Sequence, residues 1–211
     1  MKKILAIVAA IAVVPTIAMA AAFSTTGGYG NAVINSSGAS YSDTEGLKPT
    51  YSYQSAALTP VATATDVVTL TGSASKTIRV TKVCVSGVAT TAAVYDVFLI
   101  KRTTADTGGT STTPTPAQHD SNDSAASGTI NLYTANPTLG TGVAVGGAHL
   151  VLTDADTPVQ HNTPTCWNFG DNADEKIALR GVAQQLAINH GGAAVPTGAS
   201  MLYTVEWVSE P

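Results

Sequence analysis

The side chains able to bind metal or move protons in this 211-residue sequence are four histidines, two cysteines and three small acidic clusters. His119, His149, His161 and His190 are scattered, with none of the H-E-x-x-H or C-x-x-C spacing that aligns ligands locally. A zinc site would have to be assembled entirely by the fold. Asp120 with Asp123, Asp154 with Asp156, and Asp171 with Asp174 and Glu175 offer the carboxylate oxygens that calcium prefers. The 171–175 cluster is the best candidate, yet none of the three has the glycine and terminal glutamate of an EF-hand loop. Asp and Asn also form turns by bonding to the backbone two residues on, which accounts for all three clusters without an ion.

Nucleophilic catalysis is not announced either, because the G-x-S-x-G turn that exposes a reactive serine is absent. Gly140-Thr141-Gly142 begins a phosphate cradle, but Val145 stands where the third glycine belongs and no P-loop lysine follows. The remaining hydrolytic arrangement pairs Asp154 or Asp156 with Asp171, which requires two separate turns to meet in space. Cys84 and Cys166 are either a disulfide or two separate small buried hydrophobes, since spacing alone cannot bring two sulfurs together. If Trp167 and Phe169 face a core, alternation turns Cys166 the other way. These residues predict no enzymatic activity, no cofactor and no metal.

The elements that position them read as strands. From residue 66 onward the chain alternates short β-branched runs with Gly, Pro, Asn and Asp, giving nine candidates at 66–72, 76–87, 92–103, 128–134, 148–153, 166–170, 176–181, 184–190 and 200–210. Without helical periodicity, this predicts an all-β domain over 61–211, an antiparallel β-sandwich or jelly roll of eight or nine short strands. In the strand at 92–103, Tyr95, Val97 and Leu99 share one face, while Val94, Phe98 and Ile100 share the other with Asp96. Both faces are apolar, so the strand is either central or covered on its second side by another subunit. In the last strand Tyr203, Val205 and Trp207 form the core stripe opposite Leu202. The segment 104–127 has almost no aliphatic residues and reads as a long exposed loop stiffened by Pro114 and Pro116.

The amino terminus predicts export. Lys2 and Lys3 precede an apolar run from Ile4 to Val14, then Pro15 and Ala18-Met19-Ala20, the layout of a secretory signal peptide over 1–20. The run is short against the roughly 20 residues of a spanning helix, so no membrane span is expected after cleavage. Residues 21–60 are rich in Gly, Ser, Thr and Tyr and are expected to form a flexible arm. Tyr29, Tyr41, Tyr51 and Tyr53 are the residues able to anchor it on a partner. Losing Lys2 and Lys3 moves the net charge from −4 to −6, which argues against a nucleic-acid face. Charged residues make up 11%, against roughly 25% in an ordinary domain, and suit a hydroxyl-rich sheet better than exposed helices.

Residues 56–210 resemble an uncharacterised family found in tailed phages, prophages and environmental sequences. The most specific pieces are Lys101-Arg102-Thr103-Thr104 with Thr107-Gly108-Gly109-Thr110, His119-Asp120-Ser121-Asn122-Asp123, and Val205-Glu206-Trp207. The resemblance implies a small β-sandwich associated with virion or cell-surface structure, and brings no catalytic residues. Three functions stay open. The first is a structural module that forms homo-oligomers or docks on a larger assembly. The second is a glycan-binding, lectin-like module using Trp167 and Trp207, and the third is an extracytoplasmic hydrolase.

Overall fold

The structure, a computed structural model, describes residues 32–34, 40–42, 48–156, 163–170 and 175–210, and none of them is helical. The expected signal peptide and most of the expected arm lie outside the described residues. The chain divides into two compact units. In the first, Met1–Thr44, β1 (Ala32–Ile34) pairs antiparallel with β2 (Ser40–Ser42).

The second unit, Glu45–Pro211, is all-β. Its strands are β3 (Thr50–Gln54), β4 (Asp66–Thr71), β5 (Thr77–Ala89), β6 (Ala93–Arg102), β7 (Thr110–Thr112), β8 (Ala117–Gln118), β9 (Thr129–Ala135), β10 (Gly142–Asp154), β11 (Thr165–Asn168), β12 (Ile177–Arg180), β13 (Gln185–Asn189) and β14 (Ser200–Glu210). All nine expected strands are present. They lie in one curled sheet of order β7-β9-β4-β13-β6-β10-β5-β14-β3-β8, with β11 and β12 beside β5. The sheet is mixed, not wholly antiparallel: β10 joins β5 in parallel at Thr153↔Val88 and Asp154↔Ala89.

The long strand β5 organises one half. Along one edge it pairs with β14, and along the other with β12, β11 and the end of β10 in turn. A bulge interrupts its alternation. The register slips between Glu206 and Trp207, which pair with Lys82 and Val80 and leave Thr81 as the extra residue. Ile78 and Val80 before the bulge, and Val83 and Val85 after it, therefore all face inward and are fully buried. Opposite them, Tyr203, Val205 and Trp207 form the inward stripe of β14, as alternation predicts. Gly87 sits at a close approach, where a Cβ would meet the Met201 sulfur and the Ser200 carbonyl.

The other half contributes Val68, Leu70, Leu99, Ile130 and Ile188 to the same continuous core. Both halves thus bring their apolar faces together, as layers do in a sandwich or jelly roll. The two outermost strands, β7 and β8, both come from the segment expected to be a loop, and only Thr113–Pro116 separates them. Thr-Pro-Thr-Pro therefore spans from one free edge of the sheet to the other. Its prolines lack the N–H groups a further strand would need.

One expectation changes, and one left open is decided. Residues 50–54, placed in the flexible arm, form β3 and pair with both β14 and β8. Tyr51 and Tyr53 are buried in the chain's own core, with Tyr51 stacked on Trp207 at 6.0 Å, so they are not available to anchor a partner. Cys84 and Cys166 are bonded as a disulfide. They face each other in register across β5 and β11 on the outer face, because Val83, Val85 and Trp167 take the inner one. Alternation placed Cys166 correctly, and Cys84 proves to share its side.

Candidate interaction face

The outer face of β6 and β10 is where an apolar surface meets solvent. Tyr95, Val97 and Leu99 of β6 are buried in the core, which turns Val94, Asp96, Phe98 and Ile100 outward. Antiparallel pairing sets each beside a residue of β10: Val94 by Val151, Asp96 by His149, Phe98 by Gly147 and Ile100 by Ala144. A bulge at Val145 separates the last two rows. Val94 is 63% exposed and Val151 61%. The one charged row is internally matched, with His149 Nδ1 2.5 Å from Asp96 Oδ1. Phe98 is half-buried, lying against Gly147 on one side and Gly191 on the other.

The described residues among the sequence-predicted sites lie elsewhere. Asp171 and Asp174 are outside the described residues, as is His161, and Glu175 is exposed. Asp120 and Asp154 each close a local turn, Asp120 Oδ1 accepting from the Asn122 N–H at 2.9 Å and Asp154 Oδ1 from the Asp156 N–H at 2.9 Å. Among the described residues no three His, Cys, Asp or Glu side chains group where they could hold a metal ion. Among the described residues, a cleft of about 400 Å³ is lined by Thr81, Lys82, Asn168, Gly170, Lys176 and Glu206, two lysines with one carboxylate. Trp207 is fully buried and has no face to offer a sugar ring, while Trp167 is partly buried, packed on the core with its pyrrole edge against Gly146.

His190 belongs to the core. Its Nδ1–H donates to the Asp96 carbonyl at 2.8 Å, which leaves Nε2 to accept from the Tyr203 hydroxyl at 2.8 Å, and the ring stacks on Tyr95. Burial lowers its pKa to about 4 and keeps it neutral.

Sequence reasoning missed a buried polar layer on the outer side of β4, β13 and β6. Asp66 accepts from Arg102 Nε and from Asn189 Nδ2, both at 2.5 Å, and Arg102 also donates to the Gly140 carbonyl. Asp106 joins from the segment after β6, taking the Gly140 N–H at 2.8 Å on Oδ1 and giving its own N–H to Gln185. Burial, then the hydrogen bond with Asp66, raises the Asp106 pKa to about 7. The available signal was the Lys101-Arg102-Thr103-Thr104 run, where an arginine closes a strand next to a polar segment.

Comparison with protein families, with curated proteins and with solved structures gave no match. What fold and site define is a class: an all-β module that, among the described residues, exposes a valine pair on the outer face of β6 and β10.

Proposed function

We propose that this chain is a non-enzymatic structural module, an exported cell-surface or virion component that self-associates or docks on a larger assembly through the outer face of β6 and β10. The observation that carries the reading is the Val94–Val151 pair. These are two directly opposed β-branched side chains, each more than half exposed, on strands whose other faces already fill the core. Burying such a pair against a partner removes apolar surface from water, the driving force of most protein association. The resemblance to tailed-phage proteins supports the same reading. So does the Cys84–Cys166 bridge, which persists in the oxidising compartment that an exported chain reaches.

Light scattering coupled to size-exclusion chromatography, run over a concentration series on the full chain, tests the proposal. Wild type is expected to be larger than a monomer, and Val151→Glu to reduce that mass. A wild-type chain that stays monomeric at every concentration and co-purifies with no assembly overturns the reading.

A further inference from the structure

The four rows of the β6–β10 outer face share one property. Each sets a side chain on β6 beside one of complementary size or charge on β10: valine with valine, acid with base, phenylalanine with glycine, isoleucine with alanine. A face built this way is complementary to itself. We propose that a second copy of this chain stacks on it about a two-fold axis parallel to the strands, with β6 of each copy lying over β10 of the other. The inference deepens the structural-module reading and rests on it.

A two-fold axis along the strands exchanges β6 and β10 while keeping every row at its own height. Val94 then meets Val151 of the second copy, Asp96 meets His149 and Ile100 meets Ala144, while each Phe98, whose ring already covers Gly147 of its own chain, meets the Phe98 of the other copy across the axis. Face-packed sheets stand about 10 Å apart. That gap is filled by a large side chain over a small one, as in the Ile100–Ala144 row, or by two of middle size, as in the Val94–Val151 row, and the paired Phe98 rings fill it between them. The Asp96–His149 row sets each carboxylate beside a second imidazole instead of a second carboxylate. His149 is 82% exposed and Asp96 43%, so both are free to reach across.

The alternative in-plane axis, perpendicular to the strands, fails on the same residues. Passed through the charged row it sets Asp96 on Asp96 and His149 on His149. Passed anywhere else it lays that row on apolar ones, which takes the Asp96–His149 pair out of water with no further polar partner to offset the desolvation. Twist inclines packed sheets by about 30°, so the match is closest around the Asp96–His149 and Phe98–Gly147 rows.

A charge exchange tests the geometry. In Asp96→Lys the introduced ammonium faces His149 of the second copy, and in His149→Glu the introduced carboxylate faces Asp96. Each variant alone is expected to associate at least roughly tenfold more weakly than wild type, while an equimolar mixture forms a heterodimer at near wild-type strength. Analytical ultracentrifugation reads the masses. Unchanged thermal melts of both variants show that the fold is intact. If wild type is monomeric throughout, self-association falls and this geometry falls with it. If wild type associates but neither variant weakens it, or the mixture does not restore it, the stacking is wrong while self-association stands.

Discussion

Asp66 and Asp106 share one guanidinium: Arg102 Nε lies 2.5 Å from Asp66 Oδ2 and 3.0 Å from Asp106 Oδ1, and neither carboxylate side chain is exposed. Burial first, and then the neighbouring Asp66 carboxyl group, raises the Asp106 pKa to about 7. The other ionisable group facing them is Tyr133 on β9, itself shifted upward by burial. The remaining neighbours, Gln185 and Asn189, are neutral amides.

This pair sets a pH dependence with a defined sign. The folded chain keeps the Asp106 proton up to about pH 7, whereas the unfolded chain releases it near 3.8. Folding therefore binds the extra proton between about pH 4 and 7, and this group's contribution to stability falls as pH rises through that window. Asp106→Asn mimics the protonated form. It should be more stable than wild type above pH 7 by on the order of 2 kcal/mol, with the difference vanishing toward pH 4. Urea melts at closely spaced pH values measure it, and a constant difference across the range would show that Asp106 holds no such proton.

His190 acts with the opposite sign. Its folded pKa of about 4 lies below the ordinary 6.5, so the unfolded chain takes up the proton first and stability is lost as pH falls from 6.5 toward 4. In His190→Gln the difference from wild type should narrow as pH falls through this window. A pH-independent difference would mean that folding leaves the imidazole pKa where the unfolded chain has it.

Breaking the Cys84–Cys166 bridge should cost about 3–4 kcal/mol, because it closes a loop with a sequence separation of 82 and β11 is otherwise held to the sheet mainly by β5. The double Ala variant, compared with wild type by denaturant unfolding, gives the loss. Hydrogen exchange should localise it to β11 and the neighbouring edge of β5. An unchanged midpoint would remove the bridge from the stability account.

Alternation is what made the architecture legible. Tyr95-x-Val97-x-Leu99 and Tyr203-x-Val205-x-Trp207 announced their inward stripes because a strand's side chains alternate strictly. The same rule missed β3. Tyr51-Ser52-Tyr53 has the alternation, but the surrounding Ser and Thr made it read as arm, and only pairing with β14 gives those tyrosines a core to enter. The polar layer was illegible for a different reason. Asp66, Arg102 and Asp106 look like ordinary charges at strand ends, and they meet because β13 draws β4 and β6 together as its two neighbours. The outer β6–β10 face was half visible: Val94, Phe98 and Ile100 were read on the second face of their strand, while their partners on β10 depend on register.

Trp207 should prove the most costly single side chain in β14. It is fully buried and stacked on Tyr51, so Trp207→Ala should lose about 3–5 kcal/mol through transfer and cavity terms. Its indole Nε1 has no hydrogen-bond partner, so Trp207→Phe gives up no bond and should lose much less, about 1 kcal/mol. Equal losses for the two variants would show that the indole N–H is satisfied after all.

The boundary of the folded unit can be placed by truncation. A chain beginning at Glu45 keeps β3 and the Lys48–Glu210 ion pair at 2.9 Å, and should melt as the full chain does. A chain beginning at residue 56 removes β3. That uncovers the edge of β14 from Thr204 to Val208, takes Tyr51 off Trp207, and leaves β8 without its partner. It also frees Ser124, whose carbonyl accepts the Tyr51 hydroxyl at 2.8 Å and so ties the 104–127 segment to the core. Two buried tyrosines and five residues of strand pairing, at roughly 3–5 kcal/mol for one large aromatic alone, compare with a whole domain's net stability of roughly 5–15 kcal/mol. The shorter chain should therefore be unfolded or aggregated. Thermal melts and sizing of the two truncations decide it, and a cooperative melt of the residue-56 chain at the full-length temperature would show that β3 contributes nothing to the fold.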